Sequence, residues 1–183
     1  RVRKDDVVIA MASSGLHSNG YSLARYVLLE KAGLLLDAYV EDLDRTLGEE
    51  LLEPTRIYAK DCLALADECE VHTFCHVTGG GLAGNLARVI PTGLVAELSR
   101  GTWVPGPIFR LIQNVGKVPQ VEMEKTFNMG VGMVAVVAPE DRDRALAMLT
   151  ARHIDAWELG TIRDADDLQA PGAVVLTGDH PGY

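Results

Sequence analysis

Residues 7–31 read VVIAMASSGLHSNGYSLARYVLLEK. An unbroken apolar run, Val7 to Ala12, turns through Ser13–Ser22 into a helical pattern from Leu23 to Lys31. A run with no polar alternation suits a strand buried on both faces. The turn crowds small residues, hydroxyls, one amide and one imidazole where a strand enters a helix. Free backbone N–H groups at such a junction favour an anion, so a phosphorylated ligand is the first reading. Ser and Asn acting as helix caps, with Gly making the turn, is the purely structural alternative.

Working outward, Gly33 marks a helix stop and the acidic stretch 37–45 reads as a solvated loop. Thr46-Leu47-Gly48-Glu49 has the capping-box pattern and starts a short helix that ends before Pro54. Ile57 to Glu68 carries apolar residues at helical spacing, and Val71 to Val77 is the next strand, running into Thr78-Gly79-Gly80-Gly81. A helix over 82–89, a short strand over 94–98 and a helix with Ile108, Leu111, Ile112 and Val115 on one face follow. Met133 to Ala138 is a strand, Glu140 to Arg152 a helix, and Trp157–Ile162 and Val174–Leu176 closing strands. Strands alternating with single helices predict an α+β (mixed α/β) fold, a mixed β-sheet covered by helices.

With 183 residues, 48% of them hydrophobic and 23% charged, the chain suits a single domain over 1–183 with a substantial core. Lys and Arg number 17 against 26 Asp and Glu, a net charge of -9, which argues against a nucleic-acid partner or an acidic membrane surface. Phosphate binding is then local, through backbone amides and one or two basic side chains. Three cysteines, Cys62, Cys69 and Cys75, form no CxxC pair, so neither a disulfide framework nor a metal site is indicated. Reduced thiols, and an N-terminal apolar run too short for a leader or a membrane span, point to the cytoplasm.

Several residues are chemical candidates. Thr78 and Gly79–Gly81 follow a strand and open a helix, so their N–H groups can form a nest for a phosphate oxygen or a carboxylate, though triple glycine also arises where chain crosses chain. The Lys and Ser/Thr of a P-loop do not follow it, and GxGxxG spacing is absent. His17, at the tip of the first turn, can donate to a phosphate or relay a proton near neutral pH, or merely hydrogen-bond its own loop. His72 and His76, at i and i+4 on one strand, share a face but lie too far apart to hold a metal without a third ligand. His153 and His180 read as surface residues. Thr55 and Arg56 follow Pro54 at a helix start, where the guanidinium can clamp a phosphate or pair with Glu53. Asn128 and Gly130 either present an amide and bare backbone to a ligand or form a bulge.

Four blocks, SGLHSNGYSL at 14–23, LEPTRIYAK at 52–60, HVTGGGLAGNL at 76–86 and KTFNMGVGM at 125–133, resemble in order and spacing the C-terminal domain of the phosphoribosylformylglycinamidine cyclo-ligase (aminoimidazole ribonucleotide synthetase) family. The resemblance runs from about Asp6 to Leu176. It implies the fold of that domain, and ATP-dependent closure of formylglycinamidine ribonucleotide to aminoimidazole ribonucleotide in purine biosynthesis, with release of ADP and phosphate. ATP and Mg²⁺ would be held mainly by an N-terminal domain that this chain, starting at Arg1, lacks, so the separate chain is expected to be inactive. A homodimer of the full-length protein and a phosphoribosyl substrate are likewise implied. The resemblance carries a ligand-contact role to Gly15, His17, Ser18, Asn19, Thr78, Gly79, Gly80 and Gly81, and a weaker one to Thr55, Arg56, Asn128 and Gly130. It names no base, His17 being the best candidate for a catalytic residue, and no metal ligand. Lys125 stands where the family is expected to carry Arg. Alternatives are another member of the superfamily (selenophosphate synthetase, thiamine monophosphate kinase, the hydrogenase maturation dehydratase or formylglycinamidine synthetase) and a non-catalytic anion-binding module.

Overall fold

The computed structural model describes residues 1–168 and 173–183. Its centre is a sheet of six strands: β1 (Val7–Ala12), β4 (Val71–His76), β5 (Leu94–Ser99), β6 (Val131–Val137), β7 (Ala156–Asp164) and β8 (Val174–Thr177), in the order β4-β6-β1-β7-β5-β8. Every pairing is antiparallel except β5 with β8, which is parallel, so the sheet is mixed as expected. The short strands β2 (Tyr39–Val40) and β3 (Arg45–Thr46) form a separate hairpin where a loop was expected. Leu43 at its tip is buried, which gives that acidic stretch an anchor.

β1 explains its own composition. Val8 and Ala10 face one apolar cluster, together with Leu82 and Leu86 of α4 (Gly81–Leu86). Val7, Ile9 and Met11 face another, against α3 (Ala59–Glu68) and α7 (Arg142–Ala151), through Leu65, Ala145 and Leu149. Both faces are dry, and each buried aliphatic side chain contributes about 1.5–3 kcal/mol. A third cluster lies beyond the sheet, where α1 (Tyr21–Arg25), the π-helical turn Tyr26–Lys31, α2 (Leu47–Leu51), α5 (Pro107–Gly116) and α6 (Gln120–Thr126) pack around Leu28, Phe109 and Phe127.

The capping box is formed as read. Glu49 N–H donates to Thr46 Oγ1 at 3.2 Å, and Thr46 N–H donates to Glu49 Oε2 at 2.8 Å. Other expectations shift. α3 begins at Ala59, so Ile57 is 83% exposed in an irregular linker, and Thr55 and Arg56 lie in that linker rather than at a helix start. α6 escaped the pattern because Met123 is its only buried residue. The short α8 (Ala165–Leu168) follows β7. No helix among the described residues is long and apolar enough to cross a membrane.

Topology decides where function can sit. Since β1 and β4 both pair antiparallel with β6, their C-terminal ends lie at the same edge of the sheet as the start of β6. The start of β7 and the end of β5 join them there.

Candidate functional site

That edge brings together three segments distant in sequence: 13–20 after β1, 78–81 after β4, and 128–130 before β6. Each carries two consecutive residues in the left-handed region: His17 and Ser18 (φ 52° and 57°), Gly80 and Gly81 (98° and 70°), Met129 and Gly130 (51° and 97°). Non-glycine residues rarely adopt this conformation, and such residues gather where the surrounding fold over-determines a functional backbone.

Asn128 ties the first segment to the third. It is 1% exposed, donates from Nδ2 to the carbonyl of Gly15 at 2.9 Å, and accepts at Oδ1 from Ser13 Oγ (3.0 Å) and Gly130 N–H (2.8 Å). Of the two sequence readings of Asn128 and Gly130, the irregular strand entry is the one seen here: β1 and β6 slip register between Met11 and Ala12, and the amide braces the segment that leads into it. Asn85 does the same for the glycine loop. From α4 its Nδ2 donates to the carbonyls of Thr78 (3.2 Å), Gly79 (3.3 Å) and Gly81 (2.7 Å), and its Oδ1 accepts from Thr78 Oγ1 at 3.2 Å. The sequence reading missed Asn85, although an amide one turn into the helix after a glycine run was the available signal. With its carbonyls held inward, the loop leaves Gly79 and Gly80 exposed. Asn19 closes the gap, since a Cβ at Gly79 would stand 3.6 Å from Asn19 Oδ1. Gly81 is glycine for a reason: a Cβ there would meet the Glu124 carbonyl at 1.8 Å.

His17 is not at an exposed tip. It is 3% exposed, and its Nε2 accepts from Ser14 N–H (2.9 Å) and Arg56 N–H (3.3 Å), with Ser14 Oγ also at 2.9 Å. Burial, with the nearby charges of His76 and Arg56, lowers its pKa to about 4. The imidazole is therefore mostly neutral at physiological pH. It staples the 13–18 turn to the 52–58 linker. Tyr58 lies beneath, donating to the Ala12 carbonyl at 2.7 Å with its ring 6.1 Å from His17 and 6.3 Å from His76. Gly132 makes room for both, since a Cβ on it would strike Tyr58 Oη at 1.9 Å and His17 Cε1 at 2.7 Å.

Among the remaining candidates, Ser18 is exposed on the same rim, and Arg56 is half-buried with Nη1 sealed and unpartnered among the described residues. Lys125 is exposed and pairs with Glu122 at 3.1 Å. His72 does not pair with His76. It is the extra residue of a bulge opposite β6, held between Asp6 (2.6 Å) and Glu70 (2.9 Å). His180, read as a surface residue, is buried against Trp103 with ring centroids 4.4 Å apart, whereas His153 is exposed as expected. No group of three or more His, Cys, Asp or Glu that could hold a metal occurs among the described residues.

Residues 3–171 match the family model for AIR synthase related protein, C-terminal domain. The chain belongs to that family. It is 60% identical over 180 residues to a Streptomyces fradiae protein with a provisional phosphoribosylformylglycinamidine cyclo-ligase name, covering 98% of this chain and 99% of that one. It is 52% identical over 176 residues to the phosphoribosylformylglycinamidine cyclo-ligase of Anaeromyxobacter dehalogenans (strain 2CP-C), where it covers 96% of itself but spans only 50% of the relative. Solved structures share the fold at lower identity. Thiamine-monophosphate kinase from Stenotrophomonas maltophilia superposes with a TM-score of 0.62 at 18% identity, over 98% of this chain and 52% of the other. The E. coli hydrogenase maturation protein HypE gives 0.60 at 18%, over 97% and 48%. As an AIR synthase C-terminal domain, the chain thus has the α+β mixed sheet that its sequence predicts.

Proposed function

We propose that this chain is the C-terminal half of an ATP-dependent cyclo-ligase that closes formylglycinamidine ribonucleotide to aminoimidazole ribonucleotide, releasing ADP and phosphate. The observation that carries the reading is the convergence of the 13–20, 78–81 and 128–130 segments at one sheet edge, each with a left-handed pair. Those segments, Ser13 apart, lie within three of the four blocks that resemble the cyclo-ligase family, and the chain as a whole is 52% identical to a relative named as a cyclo-ligase.

In this reading the exposed N–H groups around Gly79 and Gly80 hold phosphate oxygens, as bare backbone at a helix start does. Ser18 and Asn19 form the facing wall, with Gly15 behind them. Thr78 is held by Asn85, and Thr55 and Arg56 border the rim, where a guanidinium adds positive charge in an otherwise acidic chain. His17, neutral and buried, positions the loop. Catalysis is then mostly orientation and charge stabilisation.

ATP, when bound, supplies the phosphoryl group that activates the formyl oxygen, and Mg²⁺ neutralises its phosphates. In this proposal the cation rides on the triphosphate and is held mainly by the half of the longer relatives that this chain does not span. That half, a phosphoribosyl substrate, a homodimer of the full-length enzyme and a cytoplasmic setting complete the proposal. A kinase or maturation-enzyme activity is the less supported alternative, because the likeness to those structures, at 18% identity, extends to fold alone.

The test is a titration of this chain with formylglycinamidine ribonucleotide and separately with ATP, followed by backbone amide shifts. The ribonucleotide is expected to move the amides of 15–20 and 78–81, with no ADP formed from ATP and substrate. Turnover by this chain alone, or shifts confined to other segments, would overturn the reading.

A further inference from the structure

Residues 178–183, beyond β8, carry their own anchors. Arg100, in the 3₁₀ turn Arg100–Thr102, donates from Nη1 to the carbonyls of Leu176 (2.9 Å) and Gly178 (3.2 Å), while its Nε and Nη2 grip the Glu124 carboxylate of α6 at 2.7 and 2.9 Å. Arg110 of α5 donates to the Gly182 carbonyl at 2.5 Å and lies 5.5 Å from the centroid of the Tyr183 ring. Between these clamps His180 is 6% exposed. Its Nδ1 sits 3.1 Å from the Arg100 carbonyl and 3.3 Å from that of Trp103. Carbonyls only accept, so Nδ1 carries the proton, and Nε2 is left sealed without a partner among the described residues. The two carbonyls therefore orient this imidazole.

What that orientation serves is Trp103. The two rings meet edge to face, with centroids 4.4 Å apart and planes at 76°. Trp103 is 8% exposed, and its Nε1 donates to the Met129 carbonyl at 2.9 Å, a buried bond. Met129 (φ 51°) opens the left-handed pair before β6, a conformation that a non-glycine residue keeps only where its surroundings hold it. The indole also lies against Gly130, since a Cβ there would stand 3.7 Å from Trp103 Nε1. Gly130 in turn accepts at its carbonyl from the Ser13 N–H at 2.9 Å. Trp103, Gly130 and Ser13–Gly15 wall one cavity of about 410 Å³ at the functional edge. For filling core alone a phenyl ring would serve; the indole N–H is what reaches Met129.

We propose that Trp103 is a positioning residue of the functional edge and that His180, docked with the 178–183 segment, holds it in place: the indole N–H fixes the left-handed Met129–Gly130 pair and, through Ser13, the turn that carries Gly15. Support from behind keeps a binding backbone in one geometry. The coupling is independent of the cyclo-ligase reading; that it tunes ribonucleotide binding rests on that reading.

Amide hydrogen exchange in this chain, joined to the ribonucleotide titration, tests both parts. Trp103→Phe keeps an aromatic ring and removes the donor. It is expected to speed exchange at Ser13 and Gly130 about tenfold while Val134–Val136 of central β6 stay protected, and to weaken formylglycinamidine ribonucleotide about tenfold, the scale of one hydrogen bond. His180→Ala is expected to act on the same amides by about threefold, and serves if Trp103→Phe fails to fold. Ile162→Val loosens the same apolar cluster at the far end of β7 and is expected to leave Ser13, Gly130 and ribonucleotide affinity unchanged. Unchanged exchange at Ser13 and Gly130 in the folded variants, or the same rise there in Ile162→Val, would overturn the positioning role. If those amides respond while ribonucleotide binds the variant and the unaltered chain equally, the part in ligand binding is overturned and the cyclo-ligase reading stands. If they respond and the unaltered chain binds no ribonucleotide, the cyclo-ligase reading falls and the coupling remains.

Discussion

Asn128 Nδ2 donates to the Gly15 carbonyl at 2.9 Å across 113 positions of sequence, and both groups are buried. Together with the Ser13 N–H, which donates to the Gly130 carbonyl at 2.9 Å, this side chain ties the segment leaving β1 to the segment entering β6. Asn128→Ala is expected to strand the Gly15 carbonyl and the Gly130 N–H, destabilising the fold by about 1–3 kcal/mol in urea denaturation. Asn128→Asp places a carboxylate against that carbonyl and is expected to cost no less.

Gly132→Ala tests the packing beneath His17. The added Cβ collides with Tyr58 Oη and His17 Cε1, so a loss of about 1–3 kcal/mol is expected, as for other overpacked cores. Combining it with Tyr58→Phe should restore only part of the loss, because the His17 contact persists. Full recovery in the double variant would show that His17 is free to move.

Acid should weaken the fold before its carboxylates titrate. His17 is lowered from 6.5 to about 4 chiefly by burial, and His180 is lowered by burial despite its bonds to two carbonyls. Between those pH values the unfolded chain binds protons that the folded chain refuses, so this contribution is complete above about 6.5 and declines as pH falls toward 4. Glu124 and Asp141, both held below their ordinary values, add a further loss at lower pH. Urea midpoints measured across this range should show the decline, and His17→Gln should flatten part of it.

The three free thiols should be sluggish. Burial raises Cys62 and Cys75 to about 11 and raises Cys69 as well. Alkylation of Cys75 at about pH 8 is expected to be on the order of a hundredfold slower in the native chain than in the denatured one, from thiolate fraction alone. Peptide mass spectrometry reads this directly, and equal rates would contradict the burial of that thiol.

The sequence by itself determined what is local. Val7–Ala12 announces a strand with two dry faces, Thr46 and Glu49 announce a capped helix start, and the glycine run after β4 announces a tight turn into a helix, because each depends on neighbours within a few residues. Only the tertiary structure decided the rest. Whether His17 would be a surface acid-base group or a buried neutral staple depended on Arg56, His76 and Tyr58, none of them near it in sequence. Tyr39 to Thr46 became a hairpin because Leu43 found a core to enter, and His180 became buried because Trp103 was there to receive it. The cavity beside Gly15 exists because antiparallel pairing carries the ends of β1, β6 and β7 to one edge, a juxtaposition set by long-range register that no local pattern encodes.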